Sequence, residues 1–227
     1  MDNGIVDKDK NIYFLHIAGT GGRALKKYIL NPLLNKNFEI VGKHNGWSEF
    51  IDDNTYIISI FRDPVKHACG FYLHFLHKKK YGSDVKKLFL EHYRNSEMLY
   101  NFQSKNFVTS GQTFNYGTGK YFNSDIIKID KDLLEERISR IDLLISQDLL
   151  YHYIQYVANI LAEQLDLHRI KIENVDKYEY SNGDSYDLYN SLTEDEKREI
   201  QEYNDIDYKI YSQLRLEEIK KRGDYKN

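Results

Sequence analysis

The chain has 227 residues, a formal net charge of −3 at pH 7 and 41% apolar residues, which suits one α/β domain with a buried core. The mildly acidic charge argues against a general nucleic-acid-binding protein. Because Cys69 is the single cysteine, an internal disulfide and a multi-cysteine metal site are excluded. No apolar run reaches the ~20 residues of a membrane-spanning helix, and residues 1–10 lack the apolar core of a signal peptide. We therefore expect a single cytoplasmic domain over residues 1–227, with no nucleic-acid or membrane partner.

The first candidate site is a predicted strand, glycine-rich turn and helix. Residues 12–17 are nearly all apolar, as a strand buried on both faces of a parallel sheet requires. The glycines between Gly19 and Gly22 allow a tight turn and close approach of the backbone to a ligand. Apolar residues then recur at helical spacing from Arg23 onwards. Since the unpaired amides and positive dipole end of that helix point into the turn, the pattern predicts an anion-binding loop.

A second unit of the same kind follows. Residues 55–61 are β-rich and mostly apolar, and Arg62-Asp63-Pro64 separates them from a predicted helix over residues 65–80. Two successive units favour a parallel sheet with right-handed crossovers. Arg62 would then lie at the carboxyl end of a strand, where ligands bind in open α/β folds, and its planar guanidinium suits a second phosphate. A surface ion pair between Arg62 and Asp63 is the alternative.

The rest of the chain is predicted to alternate between helices, strands and loops. Asn31-Pro32 is expected to break the first helix, and Thr193, followed by Glu196, predicts a helix start. Residues 110–123 are interpreted as an exposed loop and residues 173–185 as a polar connection. The predicted strands cover residues 38–41 and 141–146, and the predicted helices cover residues 86–100, 133–138, 149–165 and 208–221.

The glycine loop by itself fits three interpretations. It is not a Walker A loop, because no Gly-Lys-Ser/Thr follows the glycines. Gly19-x-Gly21-x-x-Ala24 matches the dinucleotide fingerprint, with Glu39 near the distance expected for a ribose-binding carboxylate, and would indicate an NAD- or FAD-dependent oxidoreductase. A phosphosulfate-binding loop and a purely structural tight turn are the other two interpretations.

Four segments, in the same order along the chain, resemble motifs of the carbohydrate sulfotransferases. Residues 16–22, His-Ile-Ala-Gly-Thr-Gly-Gly, resemble the family's His-Ile-Pro-Lys-Thr-Gly-Gly loop, and residues 58–65 resemble its strand ending in Arg-Asp-Pro. Residues 101–107 are similar to Asn-x-Gln-Thr-Arg-Tyr-Leu, and residues 204–211 to the final Asn-x-x-Asp-x-x-Leu-Tyr helix. The resemblance implies a P-loop-like parallel sheet flanked by helices. It also implies transfer of a sulfuryl group from 3′-phosphoadenosine 5′-phosphosulfate (PAPS) to a hydroxyl of a saccharide acceptor, without a metal ion.

The resemblance also implies which residues contact the co-substrate. Backbone amides of the glycine loop would hold the 5′-phosphosulfate, and Arg62 would bind the 3′-phosphate. The full set of positions carried over from the family is Gly19, Thr20, Gly21, Gly22, Arg23, Ala24, Arg62 and Gly70.

Two of these positions depart from the family pattern. The family's loop lysine aligns with Gly19, and the serine that helps bind the 3′-phosphate aligns with Gly70. The first change removes a cation from where charge develops on the leaving group, an effect commonly worth about 3–4 kcal/mol. Arg23, Lys26 and Lys43 are the candidate replacement cations. A sulfotransferase-like module that binds nucleotide without catalysis is therefore a second hypothesis.

The acceptor hydroxyl needs a group that receives its proton. His44 is the predicted base, because its loop, residues 42–46, loosely resembles the one that carries the base in uronyl 2-O-sulfotransferases. Glu49 is the second candidate for the base, since related enzymes use a glutamate. The alternative interpretation of His44 is an ordinary surface histidine. Downstream, three histidines at helical spacing suit a zinc site, a basic rim or a solvated helix face: His67, His74 and His77.

Overall fold

The structure, a computed structural model, describes residues 11–34, 40–41, 46–48, 51–76, 84–110, 114–115, 120–121, 128–172 and 183–224. Its strands are β1 (Asn11–Leu15), β2 (Ile40–Val41), β3 (Thr55–Phe61), β4 (Phe114–Asn115), β5 (Lys120–Tyr121) and β6 (Leu143–Ser146). Four of them form a parallel sheet in the order β2-β1-β3-β6, while β4 and β5 form an antiparallel pair. The predicted α/β class, a parallel sheet flanked by helices, is confirmed.

The described helices lie between and after these strands. Two π-helical segments, Lys26–Leu30 and Tyr72–Leu76, and a 3₁₀ turn, Glu97–Leu99, join some of them. The α-helices are α1 (Gly22–Leu25), α2 (Asn31–Leu34), α3 (Pro64–Phe71), α4 (Val85–Arg94), α5 (Phe102–Val108), α6 (Lys131–Ser139), α7 (Gln147–His152), α8 (Ile154–Gln164), α9 (Gly183–Ser191), α10 (Glu194–Tyr203) and α11 (Asp205–Asp224).

The centre of the sheet is buried on both faces. β1 pairs with β3 along its whole length, from Asn11 opposite Thr55 to Leu15 opposite Ser59. Because successive side chains alternate between faces, a continuous apolar run such as β3 needs helices on both sides. Parallel pairing aligns the carboxyl ends of β1, β3 and β6, so the segments that follow them meet at one edge.

One face packs against the first helical run, residues 22–34, and against α7 and α8. Fully buried Leu, Ile and Phe side chains stabilise such a core by about 1.5–3 kcal/mol each. This core includes Ile12, Phe14, Leu25, Ile29, Ile58, Ile60, Leu149, Val157 and Leu161.

The opposite face packs against α3, α5 and the three C-terminal helices. Its strand residues are the ones that alternate with those of the first face, as the pleat requires. This core includes Tyr13, Leu15, Ile57, Phe61, Val65, Phe71, Phe107, Leu188, Ile200 and Leu214.

Three expectations about the helices are corrected. Asn31-Pro32 does not break the first helix, because Asn31 keeps helical φ and ψ angles of −61° and −45° and the helical run continues through α2. The helix predicted over residues 149–165 is two helices, since Tyr153 leaves helical geometry with φ −140° and ψ 43°. Residues 183–185, predicted to belong to a polar connection, start α9.

Other expectations agree with the structure. β3 covers residues 55–61 as predicted. Thr193 and Glu196 form the predicted capping box at the start of α10. No helix of the described residues is both long enough and apolar enough to cross a membrane.

Candidate anion-binding site

The loop after β1, residues 16–23, is closed on the Ile17 carbonyl. The buried Thr20 hydroxyl donates to that carbonyl at 2.8 Å and the Thr20 amide donates at 3.4 Å. Gly19 and Gly21 have φ angles of 81° and 96°, in a region where residues with side chains are strained. These two glycines therefore allow the chain to turn from the strand into the helix.

The helix after the loop begins with amides that its own hydrogen bonds do not use. Ala24 is the first residue whose amide bonds back, to the Gly21 carbonyl at 2.9 Å. The amides of Gly21, Gly22 and Arg23 precede this bond, as the first amides of any helix do. A Cβ on Gly22 would lie 2.1 Å from the His16 ring, so the backbone packs directly on the imidazole. Helix amides exposed to a glycine loop are an arrangement that binds anions.

Arg62, at the end of β3, contacts this loop from the neighbouring strand. Only 3% of its surface is exposed. Its Nη1 donates to the Gly19 carbonyl at 3.0 Å. Gly70 leaves space for the guanidinium, since a Cβ there would lie 2.6 Å from Nη1. Among the described residues, the buried Arg62 Nε has no hydrogen-bond partner.

None of the acids that the structure describes forms an ion pair with Arg62. Burial lowers the pKa of the guanidinium, but arginine stays protonated in proteins. The ion pairs found within the described part of the chain do not include Arg62. Asp63 instead accepts the amides of Val65 and Lys66 at 2.9 Å and caps α3. The alternative interpretation, a surface ion pair between Arg62 and Asp63, is therefore wrong.

The backbone of Arg62 is fixed by α5. The Gln103 side chain accepts the Arg62 amide at 2.8 Å and donates to the Arg62 carbonyl at 2.9 Å. Asp207 of α11 in turn accepts the amides of Gln103 and Ser104 at 3.0 and 2.8 Å, and the Ser104 hydroxyl as well. The Asn204 side chain accepts the Asn101 amide at 2.8 Å.

We call these five residues, Asn101, Gln103, Ser104, Asn204 and Asp207, the polar network. It joins the two downstream segments, residues 101–107 and 204–211, that resembled family motifs. The sequence analysis did not anticipate that these two segments are in contact. Their described role is to hold the strand end that carries Arg62, rather than to line the loop themselves.

His67 supports the loop from α3. Its Nε2 lies 2.7 Å from the Ala18 carbonyl, and 3.5 Å from where a Cβ on Gly19 would be. Burial, together with the nearby charge of Arg62, lowers the His67 pKa to about 3, so the ring is neutral and Nε2 donates its hydrogen to the carbonyl. His67 therefore holds the loop as a hydrogen-bond donor. His74 is exposed, and His77 lies outside the described residues.

A third strand end, where sequence analysis named no site residue, also reaches the loop. Gln147 and Tyr151 of α7 place their Nε2 and hydroxyl atoms 3.2 Å from the Cβ position of Gly21. Gln147 is 5% exposed, and its Nε2 has no partner in the described part of the chain. The sequence signal that could have identified Gln147 was its position directly after another predicted strand, which pairs in parallel with β3. Arg62 Nε and Gln147 Nε2 are the two buried side-chain polar atoms of the described residues that lack a partner.

The predicted residues divide into three groups. Gly19, Thr20, Gly21 and Gly22 form the loop with Ala24 just behind it, and Arg62 and Gly70 lie beside it. The candidate cations Arg23 and Lys26 are exposed. Burial raises the pKa of the Tyr151 phenol, and the charges of Arg62 and Arg23 partly offset this rise. Outside the described residues lie His44, Glu49, Lys43 and Glu39.

A separate cavity of about 890 Å³ lies beside the edge strand β6, between α6, α8 and α11. It includes Leu143 and Leu144, at the opposite end of the strand from the loop. Its lining contains neither the loop nor Arg62 or Gln147, so we keep it apart from the candidate site. No group of three or more potential metal ligands is found among the described residues.

The loop, Arg62 and α7 together offer hydrogen-bond donors and one positive charge, and no acid in the described part of the chain pairs with that charge. Such an arrangement can hold a phosphate or phosphosulfate group. Neither the models of known protein families nor the sequences of curated proteins match this chain.

Proposed function

We propose that this chain is a sulfotransferase that binds PAPS at the loop of residues 16–23 and transfers its sulfuryl group to a saccharide hydroxyl. The observation that carries the proposal is the buried guanidinium of Arg62, which donates to the Gly19 carbonyl and has no acidic partner within the described residues. The family resemblance supplies the identity of the ligand, and the donors around the loop fit its anionic groups.

The energetic argument rests on burial. Removing a charge from water is costly unless a counter-charge or hydrogen bonds replace the water. Within the described residues, the Arg62 side chain makes one hydrogen bond, to a carbonyl, and its Nε makes none. An anion in the loop would supply the missing acceptor and the missing charge together. The ligand would therefore bind to a site whose donors are already in position.

Arg62 also bears on the absence of the family's loop lysine. Its guanidinium contacts the carbonyl of Gly19, the residue that replaces that lysine. In the proposed reaction the acceptor oxygen forms a bond to sulfur while the bond from sulfur to the 5′-phosphate oxygen breaks. In this proposal Arg62 acts at the 5′-phosphate instead of at the 3′-phosphate that the resemblance implies. The negative charge left on the 5′-phosphate would be stabilised by the loop amides and by Arg62. His44 stays the predicted group that takes the acceptor's proton.

A second candidate function is nucleotide binding without catalysis. Gly19, with φ 81°, occupies the lysine position, and the two candidate replacement cations of the first helical run, Arg23 and Lys26, make no described contact with the loop carbonyls. If Arg62 binds the 3′-phosphate, as the resemblance implies, no cation would be left beside the leaving group. Both candidates require the same ligand and differ in turnover.

Titration calorimetry with adenosine 3′,5′-bisphosphate, NAD and ATP tests the proposal. We expect binding of the bisphosphate in preference to the other two nucleotides. No binding of the bisphosphate at millimolar concentration would refute it, and preferential binding of NAD would favour the dinucleotide interpretation of the glycine fingerprint. Sulfuryl transfer from PAPS to a panel of sulfate-free polysaccharides then separates the enzyme from the inactive binding module.

A further inference from the structure

Gln147 is a buried amide donor that no residue of the described structure uses. Its side chain is 5% exposed, and Nε2 lies 3.2 Å from the position of a Cβ on Gly21. A buried donor without a partner costs about 1–3 kcal/mol, so such groups are rare in folded proteins. Its position against the loop indicates what the missing acceptor is.

Hydrogen bonds of the preceding residue, Ser146, fix the position of the Gln147 backbone. Glu218 of α11 accepts the Ser146 amide at 2.6 Å and the Ser146 hydroxyl at 2.7 Å. The Ser146 hydroxyl in turn accepts the Leu149 amide at 3.0 Å and caps α7. Arg215 donates to Glu218 at 2.7 Å and completes this set. Because the residue before Gln147 is held by satisfied hydrogen bonds, the unpaired amide belongs to an otherwise ordered element.

The second unpaired donor lies at the same loop. Arg62 contacts Gly19 and Gln147 lies against Gly21, so the two side chains reach the loop from two different strand ends. They come from separate elements, the end of β3 and α7. A ligand with oxygen acceptors, bound at the loop, would explain both unpaired donors.

We propose that Gln147 is a ligand-binding residue whose Nε2 donates to an oxygen of the loop-bound 5′-phosphate group. This inference rests on the proposed function, and it adds a contact from a third strand end to the predicted ones. A neutral amide supplies a hydrogen bond without adding charge. A carboxylate at the same place would repel the anion.

The test compares Gln147→Leu with Gln155→Leu. Gln155, on the neighbouring helix α8, is a matched control because its side chain is fully engaged: it donates to Asn159 and to the Ile170 carbonyl and accepts the Ile172 amide. Thermal unfolding without ligand and calorimetry with adenosine 3′,5′-bisphosphate are measured for both variants and the wild type.

We expect Gln147→Leu to weaken binding by about 10-fold while the ligand-free protein keeps or gains thermal stability. Gln147→Glu should weaken binding further, by about 100-fold. Gln155→Leu should show the reverse: lower thermal stability with unchanged affinity. These results would assign Gln147 to the ligand rather than to the fold.

The outcomes separate the two proposals. If the wild type binds the bisphosphate and Gln147→Leu binds it equally well, the Gln147 proposal is wrong and the proposed function stands. A ligand-free Gln147→Leu protein that is clearly destabilised at wild-type affinity would likewise show a structural role. If the wild type itself does not bind, the proposed function fails, and the inference about Gln147 fails with it.

Discussion

Two groups of buried polar side chains lie at the carboxyl edge of the sheet, and they differ in how they are paired. In the polar network, Asp207 accepts three hydrogen bonds from α5, and Gln103 both donates and accepts. At the loop, Arg62 Nε and Gln147 Nε2 have no partner among the described residues. The first group therefore forms its hydrogen bonds within the chain, whereas the second keeps two donors for which the described residues provide no acceptor.

The difference separates groups that stabilise the fold from groups that serve a ligand. A satisfied buried hydrogen bond contributes about 1 kcal/mol, and removing one partner leaves the other unpaired at a larger cost. An unpaired donor already carries that cost in the free protein. Mutations in the polar network should therefore lower stability, and mutations at the loop should lower affinity. The four predictions below test this separation.

The largest expected effect is on stability, from Asp207→Ala. This change leaves two backbone amides and the Ser104 hydroxyl without their acceptor. We expect the free energy of unfolding to fall by about 4 kcal/mol, measured by urea denaturation. Asp205→Ala is the control on the same helix, because Asp205 is exposed and accepts one bond, from Asn101 at 3.1 Å. An Asp207→Ala protein as stable as this control would contradict the role of the network.

The pH dependence of the network follows from the Asp207 pKa, which burial raises to about 6. In the unfolded chain an aspartate titrates near 3.9. Between these values the folded protein keeps a proton that the unfolded chain has lost, so stability falls as the pH rises from about 4 to about 6. Two pKa units correspond to about 3 kcal/mol.

To test this prediction, the unfolding free energies of the wild type and of Asp207→Asn are measured between about pH 4 and pH 6 and subtracted. The difference should change in the stated direction, and a constant difference would contradict it.

His67 has the opposite effect on how stability depends on pH. Because its pKa is lowered to about 3, acidification below about 6.5 protonates the unfolded chain alone and lowers stability. His67→Gln should remove that part of the acid sensitivity.

At the loop, Arg62→Met should reduce the affinity for adenosine 3′,5′-bisphosphate by about 100-fold, since a charged hydrogen-bond donor is lost. The unfolding free energy of the ligand-free protein should change by less than about 1 kcal/mol, because the change also removes a buried charge that no described acid pairs with. Arg198→Met, at an exposed i,i+3 pair with Asp195, is the control and should change neither quantity. Lost stability with intact affinity would assign Arg62 to the fold.

The smallest expected effect is that of Gly70→Ala. A Cβ at Gly70 would lie 2.6 Å from Arg62 Nη1, so the flexible end of that side chain must move away from the Gly19 carbonyl. We expect affinity to fall by about 10-fold with little loss of stability, since alanine is the better helix former. Gly46→Ala is the contrasting control, because its Cβ would lie 2.1 Å from the backbone oxygen of Thr109. That variant should lose stability and keep the affinity of the properly folded fraction.

Much of the local structure was predictable from local pattern. The apolar run of β3, the capping box at Thr193 and the turn from β1 into the first helix all depend on residues close in sequence. The prediction was wrong where the decisive geometry had no local signal. Tyr153 divides α7 from α8, and Pro32 continues a helix that it was expected to break.

Two things could be read from the sequence by itself: an α/β chain with a parallel sheet, and the placing of Gly19 to Gly22 and Arg62 after separate strands. The tertiary structure decided how they meet. It places the Arg62 guanidinium on the Gly19 carbonyl, gives Gly70 the role of making space, and brings Gln147 against Gly21. The physical reason is that pairing is a long-range property. The buried amide of Arg62, for example, finds its acceptor in Gln103, 41 positions along the chain.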